Sequence, residues 1–101
     1  MSDRRMPVHT EKVEMKNEWE GWTFTALMNP PLRVYEDLIS GKVDRIAPAL
    51  SNVLIVWNFV DVDGNDLPQP TEQVIRDNLS LELVTAVVTS YTDKQTTLPK
   101  G

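Results

Sequence analysis

The sequence predicts a small α+β domain, a short antiparallel sheet of two or three strands packed against three or four short helices. Three observations carry that reading. Trp22, Phe24, Ala26 and Met28 alternate with Thr23 and Thr25, the period-two pattern of a half-buried strand. Leu81, Val84, Val87, Val88 and Tyr91 recur at the spacing of one helical face. Between two further apolar runs lies Asp61-Val62-Asp63-Gly64, a strong short turn signal. With 101 residues and no repeat or linker, the chain fits one domain.

In chain order, residues 1–9 have no periodic pattern and read as a disordered arm. His9, the sole histidine, falls on that arm, where nothing would hold it as a catalytic base. Thr10 to Met15 suits an edge strand, with Val13 and Met15 inward and Glu11, Lys12, Glu14 and Lys16 facing water. The main strand runs from Trp19 to Met28, with Gly21 as a possible bulge, and stops at Asn29-Pro30-Pro31. Asn29 then caps a helix at about 31–40, with Leu32, Tyr35, Leu38 and Ile39 inward and Gly41 as its left-handed stop.

Residues 44–52 are ambiguous. Asp44 can cap a helix whose core face is Ile46, Ala49 and Leu50, but Pro48 fits only near its first turn. Val53 to Val60 is apolar on both faces, which predicts a central, covered strand. Thr71 caps a short helix at 72–78, with Val74 and Ile75 inward. Ser80 caps the last helix, at 81–92, although Val84, Thr85, Val87, Val88 and Thr89 favour a strand by propensity. Residues 93–101 read as a mobile tail.

A formal net charge of -5 disfavours nucleic acid and anionic membrane surfaces as partners. No apolar run approaches the roughly 20 residues of a spanning helix, and the basic start leads into no signal-peptide core. The absence of cysteine removes disulfides, thiol nucleophiles and the common structural zinc sites, and a cytoplasmic setting fits. The serines lack a nucleophile-elbow setting and the four glycines form no phosphate loop, so no catalysis and no cofactor is expected.

Two constellations remain. Asp61, Asp63, Asn65 and Glu72 have the 1, 3, 5, 12 spacing of a calcium loop, but Asp66 stands where that loop needs glycine. A solvated hairpin turn is the competing reading. Trp19 and Trp22, three apart on a strand, fall on opposite faces unless Gly21 bulges. One of them is then free to anchor a partner, or both pack at the sheet edge.

The order of these features resembles the tail assembly chaperones of long-tailed phages and prophages. The resembling parts are the aromatic strand Trp22 to Pro31, the helix Val34-Tyr35-Glu36-Asp37-Leu38, and the segment Trp57-Asn58-Phe59-Val60-Asp61-Val62-Asp63-Gly64-Asn65-Asp66-Leu67-Pro68. A leucine-rich segment, Leu79 to Tyr91, closes the domain. The resemblance implies a non-catalytic protein of the host cytoplasm, absent from the mature virion. It would self-associate, hold the tape measure protein soluble and recruit the tail tube protein. It further implies a longer product made by ribosomal slippage near Thr97-Leu98-Pro99-Lys100-Gly101. On this reading Trp19, Trp22 and Tyr35 meet partners, while Trp57, Phe59, Asp61, Asp63, Gly64 and Pro68 form the scaffold.

Overall fold

The computed structural model describes residues 9–97. Among these the order is β1 (His9–Glu14), a 3-10 turn (Asn17–Trp19), β2 (Thr23–Met28), α1 (Leu32–Leu38), α2 (Val43–Val53), β3 (Leu54–Trp57), α3 (Glu72–Asn78) and α4 (Leu81–Thr97). One antiparallel sheet has the order β1-β2-β3, so the expected α+β class holds. Val13 from the first strand, Met15 just beyond it, and Phe24, Ala26 and Met28 from the second point into the core. Buried Leu54 and Trp57 join them from β3.

The β1–β2 connection is tighter than an uninterrupted strand from Trp19 would allow. Asn17 and Gly21 both adopt positive φ, at 61° and 94°, and Met15 N–H closes the loop on the Trp22 carbonyl at 2.9 Å. β2 therefore starts at Thr23 rather than Trp19. His9 belongs to β1, paired with Met28, and its ring lies 2.6 Å from the Glu11 carboxylate. His9 is thus strand rather than part of the arm expected over residues 1–9; residues 1–8 lie outside the described part.

β3 corrects the sequence reading most sharply. It is an edge strand of four residues, and β2 is the central one. Leu54 and Trp57 face inward, whereas Ile55 and Val56 are 51% and 43% exposed. A register shift between Thr25 and Ala26 leaves Ile55 without an opposed residue. The apolar run is long because its first part is helix: Val53 ends α2. Beyond Trp57 the Asn58 side chain continues the pairing, accepting from Thr23 N–H at 2.8 Å and donating to the Gly21 carbonyl at 3.0 Å.

Two caps behave as the sequence indicates. Thr71 Oγ1 accepts from Val74 N–H at 3.2 Å, and Ser80 Oγ from Leu83 N–H at 3.1 Å. Asn29 does not cap α1, whose N-cap is Pro31. Asn29 has φ 54°, and both its N–H and its side-chain oxygen bind Gln95 of α4, at 2.8 and 2.6 Å. That clamp, with the Lys94–Glu11 ion pair at 3.6 Å, holds α4 against the sheet and continues it to Thr97. Residues 93–97 are therefore helix rather than tail; 98–101 lie outside the described residues.

α1 turns its Leu38 into the core, with Val34 packed beside it, while Leu32 and Ile39 are 80% and 56% exposed. Of the expected inward set, Leu38 is buried and Tyr35 half-buried, whereas Leu32 and Ile39 are not, because the seven-residue helix offers too few turns to fix its phase by pattern alone.

The ambiguous segment 44–52 is the hub. α2 buries Ile46, Ala47, Ala49, Leu50 and Val53, and it packs on α1, α3, β2 and β3. Pro48 is its sixth residue, deeper than the first turn, so the Asp44 carbonyl loses its helical donor. Arg76 of α3 approaches that carbonyl at 3.4 Å in the proline's stead.

Candidate functional site

The scaffold residues converge on Phe59. Its ring stacks on Trp57 at 4.6 Å, meets Trp22 at 5.3 Å and meets Phe24 edge-on at 6.4 Å. Trp57 and Phe59 are buried, and the Trp57 indole N–H donates to the Pro68 carbonyl at 2.9 Å. The indole thus fastens the start of the hairpin to its exit. Within the turn, Asp61 N–H meets the Asn65 carbonyl at 2.8 Å and Gly64 N–H the Asp61 carbonyl at 3.0 Å. Gly64 has φ 85°, the left-handed conformation that favours glycine.

The calcium donor set is not assembled. One oxygen of Asp61 accepts from the N–H groups of Asp63 and Asn65, at 2.9 and 3.0 Å, as an Asx turn does. Asp63 is exposed at the turn, and Glu72 pairs with Arg76 at 2.9 Å on α3. Among the described residues no group of three or more His, Asp or Glu side chains is placed to hold a metal ion. The acidic turn is a structural hairpin.

The three residues expected to meet partners are not on one surface. Trp19 and Trp22 do not point to opposite faces: their rings meet edge-on at 5.2 Å, and both half-buried side chains pack on the core. The positive φ at Gly21 turns the chain between them. Tyr35 is half-buried on α1 and lies near Tyr91. The Tyr91 hydroxyl donates to the Leu27 carbonyl at 2.6 Å. Burial, with a smaller contribution from Tyr35, pushes the Tyr91 phenol up to about 12 from 10.0.

Trp19 stands at the end of an open surface groove of about 1270 Å³. Residues 12–19 make one wall, and Ser80 with α4 as far as Lys94 makes the other. The α4 side presents Thr85, Ala86, Thr89 and Ser90, two adjacent rows of small side chains. The opposite rows of α4, with Leu83, Val84, Val87 and Tyr91, are buried in the core.

On the far side of Leu81 lies a second cleft, of about 220 Å³, where Ile39 and Val43 face Val84 and Val88 of α4. Leu81, Ile39 and Val43 are 66%, 56% and 48% exposed there, and no charged residue lines the cleft. The exposed face of α4 is thus a ridge between two depressions.

No protein family, characterised protein or solved structure compared with this chain matches it.

What the ridge can do is therefore read from its chemistry. The large groove carries Lys12, Lys16 and Lys94 against Glu14, Glu18, Glu82 and Asp93, a formal balance of -1. Small residues along one wall let another helix approach closely, and Trp19 offers an aromatic stop. The sequence singles out Trp19 but not the α4 wall. The same pattern that places Leu83 and Val87 inside determines which rows remain outside, yet only the packing of β1 beside α4 makes a groove of them. No helix among the described residues is long and apolar enough to cross a membrane.

Proposed function

We propose that this protein is a phage or prophage tail assembly chaperone. It coats the tape measure protein in the host cytoplasm, recruits tail tube subunits, and leaves before the virion is mature. The observation that carries the reading is the groove along α4, bounded by Trp19 and lined by Thr85, Ala86, Thr89 and Ser90. A tape measure protein is a long helical chain whose apolar face aggregates when bare. A groove with a small-residue wall accepts one segment of such a helix. The protein's formal charge of -5 then keeps the coated chain soluble. Weak contacts repeated along one long chain hold by avidity. The Trp57-to-Pro68 segment supports the same reading through its resemblance to that family, and its buried, turn-forming side chains suit a scaffold role.

The test is co-expression with the tape measure protein from the same genome. Wild-type protein is expected to co-purify with it and keep it in the soluble fraction. Ala86→Arg fills the groove, and Trp19→Ala removes its aromatic end; both are expected to lose the complex while the far-ultraviolet circular dichroism is kept. A tape measure protein that is equally soluble without this chain, or that binds both variants as well as wild type, sinks the reading.

A further inference from the structure

The hairpin between Trp57 and Pro68 carries three aspartates, and the structure holds them differently. An aspartate side chain can close a five-membered ring on the backbone nitrogen of the next residue. Whether it does depends on how its carboxylate is held and how crowded that nitrogen is. Asp61 is held: one of its oxygens accepts from the N–H groups of Asp63 and Asn65, and β-branched Val62 follows it. Asp66 is followed by buried Leu67, whose N–H donates to the Phe59 carbonyl at 2.9 Å. Asp63 is exposed, and its carboxylate accepts no hydrogen bond among the described residues. Gly64 follows it, with no atom within 4 Å of the place a Cβ would take. No other aspartate or asparagine in the chain precedes a glycine.

We propose that Asp63 is a modification site, where the folded protein spontaneously forms isoaspartate at a rate set by the Gly64 N–H···O=C Asp61 bond. The Gly64 nitrogen attacks the carboxyl carbon of Asp63 in its acid form. A C–N bond forms, a C–O bond breaks, and the amide hydrogen leaves with the hydroxyl as water. A second water then opens the succinimide. Attack at the carbonyl derived from the side chain restores aspartate. Attack at the main-chain carbonyl leaves the peptide running through Cβ, with the α-carboxylate free. One water leaves and one enters, so no oxidant or other reactant is needed.

In the closed turn Gly64 N–H donates to the Asp61 carbonyl at 3.0 Å. A nitrogen whose hydrogen is held in this way is a poor nucleophile, so attack waits for the bond to open. Opening costs little, because residues 62–66 are exposed and no buried side chain anchors the tip. The Asp61 carboxylate opposes it by pinning the N–H groups of residues 63 and 65, on either side of Gly64. The turn thus slows a reaction that its own Asp-Gly sequence invites. The product lengthens the main chain at the tip alone, above the point where the Trp57 indole fastens the hairpin to the Pro68 carbonyl. Nothing in this chemistry depends on what the groove beside Trp19 binds.

The test ages the whole chain for weeks in warm neutral buffer, with and without guanidinium chloride. Isoaspartate is read by an isoaspartyl methyltransferase with labelled S-adenosylmethionine, which esterifies the free α-carboxylate, and is placed by peptide mapping. In the native protein, label is expected to accumulate at Asp63 and not at Asp61 or Asp66. Asp63→Glu is expected to abolish it from the hairpin, since glutamate would have to close a six-membered ring. Asp61→Ala, which unpins the turn, is expected to raise the native rate severalfold, whereas Asp61→Asn keeps an accepting oxygen and should keep the wild-type rate at Asp63. In denaturant, wild type and Asp61→Ala are expected to converge on one faster rate. The wild-type comparison between buffer and denaturant stands even if Asp61→Ala unfolds. No label in the native wild type, equal label at Asp61 or Asp66, undiminished label in Asp63→Glu, a folded Asp61→Ala as slow as wild type, or a wild-type rate that denaturant leaves unchanged each overturns the proposal.

Discussion

Phe59 touches three other rings, and that one buried side chain explains why the hairpin beyond it is so firmly placed. The turn itself depends on Gly64. At φ 85° no atom crowds the place a Cβ would take, so the penalty for a side chain there is conformational rather than steric. Gly64→Val is expected to lower stability by more than about 1 kcal/mol, because a β-branched residue resists positive φ. An unchanged melting temperature would refute the turn's assigned conformation. Tyr91 gives the second residue-scale prediction. Its phenol ionises near pH 12 in the folded chain and near 10.0 in the unfolded one. The unfolded chain therefore loses its proton first, so stability is flat below pH 10 and falls as pH rises from about 10 to 12. Tyr91→Phe removes the hydrogen bond to Leu27 and is expected to cost about 1 kcal/mol at neutral pH. It should also flatten part of the alkaline decline, which thermal melts across that window would reveal. Gly64 was legible in the sequence because Asp-Gly between apolar runs is a turn by local chemistry. Tyr91 was legible as core, but its hydroxyl's partner, 64 residues away, was not.

Helix α2 shows what an element can do with an awkward residue. Pro48 sits mid-helix, and the carbonyl it orphans at Asp44 finds the Arg76 guanidinium on α3. The two residues should therefore be coupled. Arg76→Ala is expected to cost on the order of 0.5 kcal/mol more in the wild-type background than in a Pro48→Ala background, where residue 48 regains its own N–H. A double-mutant cycle by urea denaturation measures this, and additive effects would remove Arg76 from the role. The proline made residues 44–52 hard to assign, since nothing local announces a donor arriving from 32 positions later. β3 was misplaced for a related reason. An apolar run from Val53 to Val60 looks the same whether it is a covered central strand or a helix end, a short edge strand and a buried aromatic turn. At the C-terminus, residues 93–97 have no apolar pattern, and the Gln95–Asn29 clamp makes them helix.

The whole molecule packs its core against a three-stranded sheet and leaves outside it a charged, small-residue groove beside Trp19 and an uncharged cleft around Leu81. Only the groove is assigned a task. Ala86→Arg is expected to abolish tape measure binding, whereas Val43→Arg, in the cleft, is expected to leave it unchanged. Co-purification with both variants decides this, and equal loss in the two would remove the groove from the role.

By itself the sequence determined the fold class, the strand beneath Phe24, Ala26 and Met28, the acidic hairpin, and the start of the last two helices. Each of those is encoded by neighbours a few residues apart, through side-chain period, a capping hydroxyl or a left-handed glycine. Only the tertiary structure decided which strand lies at the edge, that Trp19 and Trp22 share one side, that the calcium-like residues are spent within the turn and on α3, and where a groove opens. Those outcomes depend on distant pairs such as Asn29 with Gln95, Asp44 with Arg76 and Leu27 with Tyr91, whose meeting no local pattern records.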